Sequence, residues 1–224
     1  MIVAGCKAGS ADRSLDVACG PGLVVCAFAD VVRSATGIDL TPAMIEKGRS
    51  LADSKNLGNT SFVVGDVNAL PFAESSFSIV TSRYAFHHFQ EPQRVLLEMV
   101  RVGKPGGRIA VMDMMASDDP AKAERFNRME KLRDPSHVGA LTLAALRQTF
   151  HDAGLPEPTV APYRMPVELE SLLDASFPNP GDREAVREMV LASLAGDAMG
   201  VQTRRKADRV YFSYPIALLV SELS

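Results

Sequence analysis

Short apolar runs alternate with amphipathic stretches through the first half of the chain. Each run has the length of a buried strand, and each longer stretch carries apolar side chains at helical spacing. The predicted strands are residues 15–18, 35–40, 60–64, 77–82 and 108–113, and the predicted helices are 23–33, 41–55 and 92–102. Strands and helices that alternate through short connections predict parallel strands with right-handed crossovers, which is a doubly wound α/β sheet.

The pattern changes after Asp113, where helices predominate. Thr142 is a candidate cap for one of them, and Gly154 is a candidate stop signal at its end. The predicted helices are 121–131, 142–153, 166–177 and 182–194, with strands at 159–163 and 209–220 and a turn earlier at 104–107. Because no repeat, low-complexity tract or linker interrupts the chain, residues 1–224 are predicted to form a single domain.

Composition and charge narrow the class of protein. The chain has 224 residues, 46% of them apolar, and a formal net charge of −3, so it can bury a core and does not favour nucleic acid as a partner. We interpret the basic cluster 204–206 as a solvated loop. The apolar run 216–220 is too short to span a membrane and no secretory signal is visible. We therefore expect a cytoplasmic protein.

The three cysteines, Cys6, Cys19 and Cys26, are odd in number and lack the spacing of a metal site. We expect free thiols. Asp113, Asp118 and Asp119 could be interpreted as a metal cluster, but helix capping before Pro120 explains the last two, so no metal is predicted.

The first strand runs directly into a glycine-rich turn within the stretch LDVACGPG at residues 15–22. Such a turn leaves backbone N–H groups unpaired and directed at one point. It also lets a ligand approach the main chain closely. Tight turns need glycine for steric reasons too, so the turn alone is weak evidence for a ligand site. Residues at the other strand ends are needed to support it.

Carboxylates follow three of the predicted strands. Asp16 lies in the first strand, where an unpaired charge is costly, and Asp39 lies about 20 residues beyond the turn, the usual spacing for a ribose ligand. Asp66 follows the third strand and could accept a hydrogen bond from an adenine amine. Two alternatives stay open, since Asp39 could cap the next helix and Asp66 could form a turn.

An acidic cleft suits a ligand with hydroxyls, an amine and positive charge, and suits pyrophosphate poorly. The third glycine of the dinucleotide fingerprint falls at Val25 and is absent. These residues favour S-adenosylmethionine over NAD.

The successive motifs resemble those of class I S-adenosylmethionine-dependent methyltransferases. The stretches are LDVACGPG at 15–22, GID at 37–39 and GDVNALPF at 65–72. Residues 77–89, with HHF at 87–89, and 101–108, with PGG at 105–107, are similar to the methyltransferase type 11 branch that contains the ubiquinone/menaquinone C-methyltransferases. RDPSH at 133–137 also recurs in that branch. The resemblance is close from Leu15 to about Leu155.

The resemblance implies a fold and a set of cofactor contacts. The fold is a Rossmann-like, mostly parallel seven-stranded sheet with an antiparallel last strand beside the fifth, made of a core at 14–155, a substrate-side helical insertion at 156–208 and the last strand at 209–224. Asp16 with the backbone of Ala18, Cys19 and Gly20 would hold the methionyl part. Asp39 would take the ribose, with Leu40 beside the adenine. Gly65, Asp66 and Val67 would bind the adenine edge, and Arg83 would lie near the methionyl end.

Two features depart from the family pattern. The family usually has glycine where this chain has Ala18. Members also usually carry an N-terminal helical segment over the cofactor, whereas 14 residues precede Leu15 here. The chain is therefore expected to be truncated or to have an open pocket.

Candidate catalytic residues are histidines. His88 could act as general base towards the acceptor, since imidazole titrates near neutrality, while His87 could simply pack beneath its loop. His137 could contact the acceptor, but a structural hydrogen bond in its polar turn is an equal alternative.

The sequence thus predicts an enzyme that methylates a small, apolar or aromatic acceptor, which would enter between the 83–89 loop and the 166–194 helices. A non-catalytic protein with the same fold and a nicotinamide oxidoreductase are the alternatives. The oligomeric state is open, a homodimer included.

Overall fold

A computed structural model describes all 224 residues, with eight strands and eight α-helices. The strands are β1 (Arg13–Val17), β2 (Ser34–Asp39), β3 (Thr60–Val64), β4 (Phe77–Arg83), β5 (Gly103–Met114), β6 (Thr159–Glu168), β7 (Arg204–Lys206) and β8 (Arg209–Glu222). The helices are α1 (Ile2–Gly5), α2 (Leu23–Ala29), α3 (Pro42–Ser54), α4 (Pro92–Val102), α5 (Pro120–Arg133), α6 (Leu143–Asp152), α7 (Leu169–Asp174) and α8 (Asp182–Ala192). No helix is long and apolar enough to cross a membrane.

All strands belong to one sheet with the order β3-β2-β1-β4-β5-β8-β6, and β7 pairs with β8 beside this path. Strands β1 to β5 pair with one another in parallel. The chain moves outward from β1 to β3 and then returns to the other side of β1 as β4, so the strand order reverses between β1 and β4. In open α/β sheets this switch point is where ligands bind, outside the carboxyl ends of the strands.

Strand β8 runs antiparallel beside β5. Gly106 N donates to Leu223 O, whereas Met115 N donates to Pro215 O, so the residue number falls on β8 as it rises on β5. The predicted doubly wound α/β fold with an antiparallel last strand is therefore confirmed. The sheet has one strand more than predicted, because the short strand β7 adds to the seven.

The structure divides into two compact units. Unit 1 comprises Met1–Met112, Arg147–Ala161 and Leu218–Ser224, and unit 2 comprises Asp113–Leu146 and Pro162–Ala217. The predicted division at 14–155, 156–208 and 209–224 stays a prediction.

Unit 1 buries apolar side chains from both faces of the parallel strands. Parallel strands in such sheets are covered on both faces, which is why residues 15–17 and 79–82, polar ones included, carry almost no exposed surface. On the amphipathic helix α4 the buried stripe is formed by Val95, Leu96, Met99 and Val102. These contacts fix the strand ends from which the candidate site residues project.

Unit 2 buries a charged network. Glu130 is fully buried on α5, where its Oε1 accepts from the Tyr214 hydroxyl at 2.6 Å and its Oε2 accepts from Arg133 Nη2 at 2.7 Å. Burial raises the pKa of Tyr214 well above its usual value, which keeps the phenol protonated as a donor. The buried carboxylate is thus satisfied on both oxygens, as a buried charge requires.

Several predicted boundaries are wrong. Residues 166–168 belong to β6 and not to a helix. The Glu168 side chain accepts from Glu170 N and Ser171 N and so caps α7, which therefore begins at Leu169. Residues 204–206 form β7 rather than a solvated loop, closing a two-residue hairpin in which Lys206 pairs with Arg209. The turn residues Ala207 and Asp208 are not the Asn-Gly or Asp-Gly pair that usually reveals such a hairpin.

Other differences concern helix ends and one bulge. Helix α2 ends at Ala29, and α1 forms where no helix was predicted. Thr41 precedes α3 but makes no side-chain cap; its N–H instead donates to Asp39 Oδ1. Residues 104–107 are a bulge inside β5, between the pairs Phe77–Gly103 and Ile79–Arg108. The cap of Asp119 on α5 is confirmed, and Cys6, Cys19 and Cys26 are free thiols.

Candidate active site

The turn after β1 contains three residues with positive φ. Ala18, Gly20 and Gly22 have φ values of 57°, 51° and 76°, and Gly22 N closes the turn on Cys19 O at 3.0 Å. The two glycines differ in what surrounds them. A Cβ on Gly22 would lie 2.7 Å from the Phe62 ring, whereas a Cβ on Gly20 would meet nothing within 4 Å. Gly22 is therefore needed for packing, while the main chain at Gly20 faces open space that a ligand can enter.

Asp39 joins the end of β2 to this turn. Its Oδ2 accepts from Gly20 N at 2.9 Å and its Oδ1 accepts from Thr41 N at 2.9 Å. Gly65 N donates to the Asp39 carbonyl at 3.0 Å, so the end of β3 is held here too. A carboxylate has about four lone-pair sites. Asp39 can thus hold the turn and still accept bonds from ligand hydroxyls.

Asp16 is more deeply buried than Asp39 and Asp66. Only 3% of its surface is exposed, and Thr81 Oγ1 donates to its Oδ1 at 2.8 Å. Burial raises the pKa of Asp16 to about 7, an effect that the Thr81 hydrogen bond and the nearby Arg83 guanidinium partly oppose. A buried carboxylate with a perturbed pKa beside an open turn is a candidate for binding a cation.

Asp66 is exposed and forms a turn. Its Oδ1 accepts from the backbone N–H of Asn68 at 2.8 Å, which lowers the pKa of Asp66 and keeps it ionised. The turn-forming alternative is thus realised on one oxygen, and the second carboxylate oxygen can still serve a ligand. Val67, the next residue, is buried.

Apolar surface accompanies the polar groups at the strand ends. Leu40, directly after β2, is 70% exposed, and Val64 at the end of β3 is 47% exposed. Large aliphatic side chains exposed beside a glycine turn can pack against a planar ring. Cys19, by contrast, is buried, and its N–H donates to Ile38 O, so only its backbone belongs to the turn surface.

The segment after β4 carries the basic and aromatic residues. The Arg83 guanidinium lies over the Tyr84 ring, 4.4 Å from its centre. Tyr84 has a φ of 55°, which is strained for an aromatic residue, and its N–H donates to Met112 O at 2.8 Å. Ala18 and Tyr84 are thus both strained at carboxyl ends of central strands, and such strain concentrates at functional sites.

The histidines occupy different settings. His88 is partly exposed at the end of a 3₁₀ turn, and its ring lies 4.1 Å from that of the buried His87. His137 is 1% exposed, and its Nε2 lies 2.9 Å from Asn127 Oδ1. Asn127 Oδ1 also accepts from Ala140 N. This favours the structural alternative for His137, whereas His88 is only partly buried.

One residue beside Asp16 was not predicted from the sequence. Thr81 was not singled out, although the parallel register places it directly beside Asp16. The next residue, Ser82, does not line the site, because it is fully buried and its hydroxyl donates to Val17 O at 2.9 Å. No pattern in the sequence indicates Thr81, because the register that pairs it with Asp16 is known only from the folded sheet.

Comparison with known proteins shows the family to which the chain belongs. Residues 15–111 match a family model described as a methyltransferase domain. The methyltransferase YcgJ of Bacillus subtilis, named as uncharacterised, is 35% identical over 172 residues, which are 77% of this chain and 68% of that protein. The chain belongs to the class I S-adenosylmethionine-dependent methyltransferases. It is thus an enzyme of the methyltransferase type 11 family.

Solved structures of methyltransferases share the fold. The crystal structure of YcgJ superposes with a TM-score of 0.90 at 28% identity, covering 99% of this chain and 95% of that one. A putative methyltransferase from Bacillus halodurans gives a TM-score of 0.91 at 25% identity, covering 99% of this chain and 96% of that one.

A further relative was found by sequence. A ubiquinone/menaquinone C-methyltransferase, UbiE of Roseobacter denitrificans, is 33% identical over 120 residues, which are 51% of this chain and 47% of that methyltransferase.

The strain at Ala18 leads to a stability prediction. Replacing Ala18 with glycine removes the clash of a Cβ with its own backbone at φ 57°, which is worth about 1 kcal/mol. We expect Ala18→Gly to raise the free energy of unfolding by up to that amount in chemical denaturation. Ala4→Gly, inside the short helix α1, is the control and should lower it. A loss of stability in Ala18→Gly would contradict the strained conformation.

The raised pKa of Asp16 predicts a pH-dependent stability. The carboxyl titrates near 3.8 when unfolded and at about 7 when folded, so the folded state binds the extra proton and stability falls as pH rises between these values. Asp16→Asn stays neutral throughout. In denaturation experiments without ligand, we therefore expect Asp16→Asn to have a higher free energy of unfolding than the wild type at pH 8. The difference between the two proteins should be smaller at pH 5. An equal effect at both pH values would show that Asp16 is not titrating in this range.

Proposed function

We propose that this methyltransferase binds S-adenosylmethionine at the glycine turn and the carboxylates of β1 to β3, and methylates a small apolar or aromatic acceptor. The observation that carries the cofactor site is the bond from Gly20 N to Asp39 Oδ2 at 2.9 Å beside the buried Asp16. It combines a carboxylate for hydroxyls, a carboxylate for a cation and an open turn. These features fit a sulfonium nucleoside.

The roles of the residues follow from their chemistry. Asp39 accepts bonds from the ribose hydroxyls, and Asp16 faces the cationic methionyl end together with the main chain of residues 18–20. Asp66 and Val67 receive the adenine edge, while the exposed Leu40 packs on the ring. When bound, the cofactor supplies a methyl group that is already activated on a sulfonium. The protein therefore contributes mainly by orientation and proximity.

Two considerations support a small apolar or aromatic acceptor. The relative UbiE is named for ubiquinone and menaquinone biosynthesis, although this chain spans about half of it. The formal charge of −3 also gives no general attraction to polyanions.

His88 is the residue we propose as general base when the acceptor must lose a proton. The residue is partly exposed and lies four positions after Tyr84, which has a positive φ at the end of β4. An acceptor that is already ionised needs no base, and then positioning alone suffices. His137 is the weaker proposal, because its ring is engaged by Asn127.

The cofactor site is tested by replacing Asp39 with alanine. Loss of the ribose acceptor and of the Gly20 anchor should weaken the binding of S-adenosylhomocysteine by about 1–3 kcal/mol, the scale of stranded polar groups. Isothermal titration calorimetry measures this directly. Asp53→Ala, at an exposed carboxylate on α3, is the matched control and should bind like the wild type. Unchanged affinity in Asp39→Ala would mean that the ribose binds elsewhere.

A further inference from the structure

Asp16 and Thr81 form a side-chain pair at the centre of the sheet. They are register partners on the neighbouring parallel strands β1 and β4. Thr81 is fully buried, and its hydroxyl donates to Asp16 Oδ1 at 2.8 Å. The only other acceptor within reach of this hydroxyl is Leu15 O, at 3.3 Å. The shorter contact goes to the carboxylate.

We propose that Thr81 is a positioning residue, which holds the Asp16 carboxylate ionised and correctly oriented for the ammonium group of the cofactor's methionyl part. This inference rests on the proposed function. A hydroxyl suits the task because it supplies one proton to a carboxylate that can only accept. Valine has a similar shape but no donor, so it would leave Asp16 Oδ1 without this bond.

The surroundings of Asp16 explain why one hydroxyl matters. Burial favours the neutral acid, and Asp39 on β2 opposes ionisation further, while Arg83 on β4 favours it. The nearby Cys19 thiol is kept neutral, because burial and Asp16 both raise its pKa. With the pKa of Asp16 at about 7, the loss of one favourable hydrogen bond changes the fraction ionised near neutral pH. Binding a cationic ligand is then linked to release of the Asp16 proton.

The neighbouring Ser82 provides a matched control. It is equally buried on the same strand, but its hydroxyl donates to a backbone carbonyl, Val17 O, and not to a carboxylate. Ser82→Ala therefore removes a buried hydrogen bond from the same part of β4 without touching Asp16. A general weakening of the strand would affect both variants, whereas a positioning role is specific to Thr81.

The experiment compares two ligands by calorimetry between pH 6 and pH 9. S-adenosylhomocysteine carries the ammonium group, and 5′-methylthioadenosine lacks the amino-acid part. We expect Thr81→Val to lower the affinity for S-adenosylhomocysteine about 10- to 100-fold at pH 7.5, which is the effect of losing a hydrogen bond to a charged group. Binding of 5′-methylthioadenosine should be unchanged. Thr81→Ser should bind both ligands like the wild type, and Ser82→Ala should not discriminate between them.

A second measurement uses the ligand-free protein. Carbon-13 NMR of the Asp16 carboxyl should show a pKa that is higher in Thr81→Val than in the wild type and unchanged in Ser82→Ala. In calorimetry, the pH at which S-adenosylhomocysteine affinity declines should rise by the same amount. Should Thr81→Val not fold, Thr81→Cys carries the test, because a thiol of similar size is a weaker donor.

Three results would overturn the inference. Thr81→Val could bind S-adenosylhomocysteine like the wild type, or could lose the same affinity for S-adenosylhomocysteine and for 5′-methylthioadenosine. It could also leave the pKa of Asp16 unchanged. If the wild type binds neither ligand, the proposed cofactor site itself fails. That outcome is distinguishable, because the other three presuppose wild-type binding of S-adenosylhomocysteine.

Discussion

A carboxylate buried in the middle of a parallel sheet is the constraint from which the rest of this site follows. Asp16 has 3% of its surface exposed, and a charge in such a place is unfavourable unless other groups compensate. Within unit 1 the compensation comes from the Thr81 hydroxyl and the Arg83 guanidinium. A cationic ligand would complete it. This is the physical basis for the proposal that Asp16 faces the cationic methionyl end of the cofactor.

The backbone beside the buried Asp16 charge is also strained. The main chain turns through left-handed conformations at Ala18 after β1 and at Tyr84 after β4, on the two strands between which the strand order reverses. Neither residue type favours that conformation. The bond from Gly20 N to Asp39 helps to hold the first turn in place, and the bond from Tyr84 N to Met112 O helps to hold the second. Proteins commonly accept such local cost where a ligand binds, because the strained groups are then pre-organised.

Much of the fold could be predicted from sequence because local patterns and tertiary structure agree there. Strand β3 and helix α4 have the predicted bounds, since each combines a regular apolar pattern with clear flanking residues. Strand β7 was missed because its pairing depends on β8 and its turn has no glycine. In the site, glycine spacing and strand-end carboxylates were visible in the sequence. The partnership of Thr81 with Asp16 was not, because it depends on the register between two strands 65 residues apart.

The position of the bound nucleoside is the most direct test of the proposed site. A crystal structure of the protein with S-adenosylhomocysteine tests this in one measurement. We expect both ribose hydroxyls within hydrogen-bonding distance of the Asp39 carboxylate, the ammonium group beside Asp16, and the thioether near Gly20. A nucleoside bound away from Asp39, or an ammonium group paired with a different carboxylate, would contradict the account.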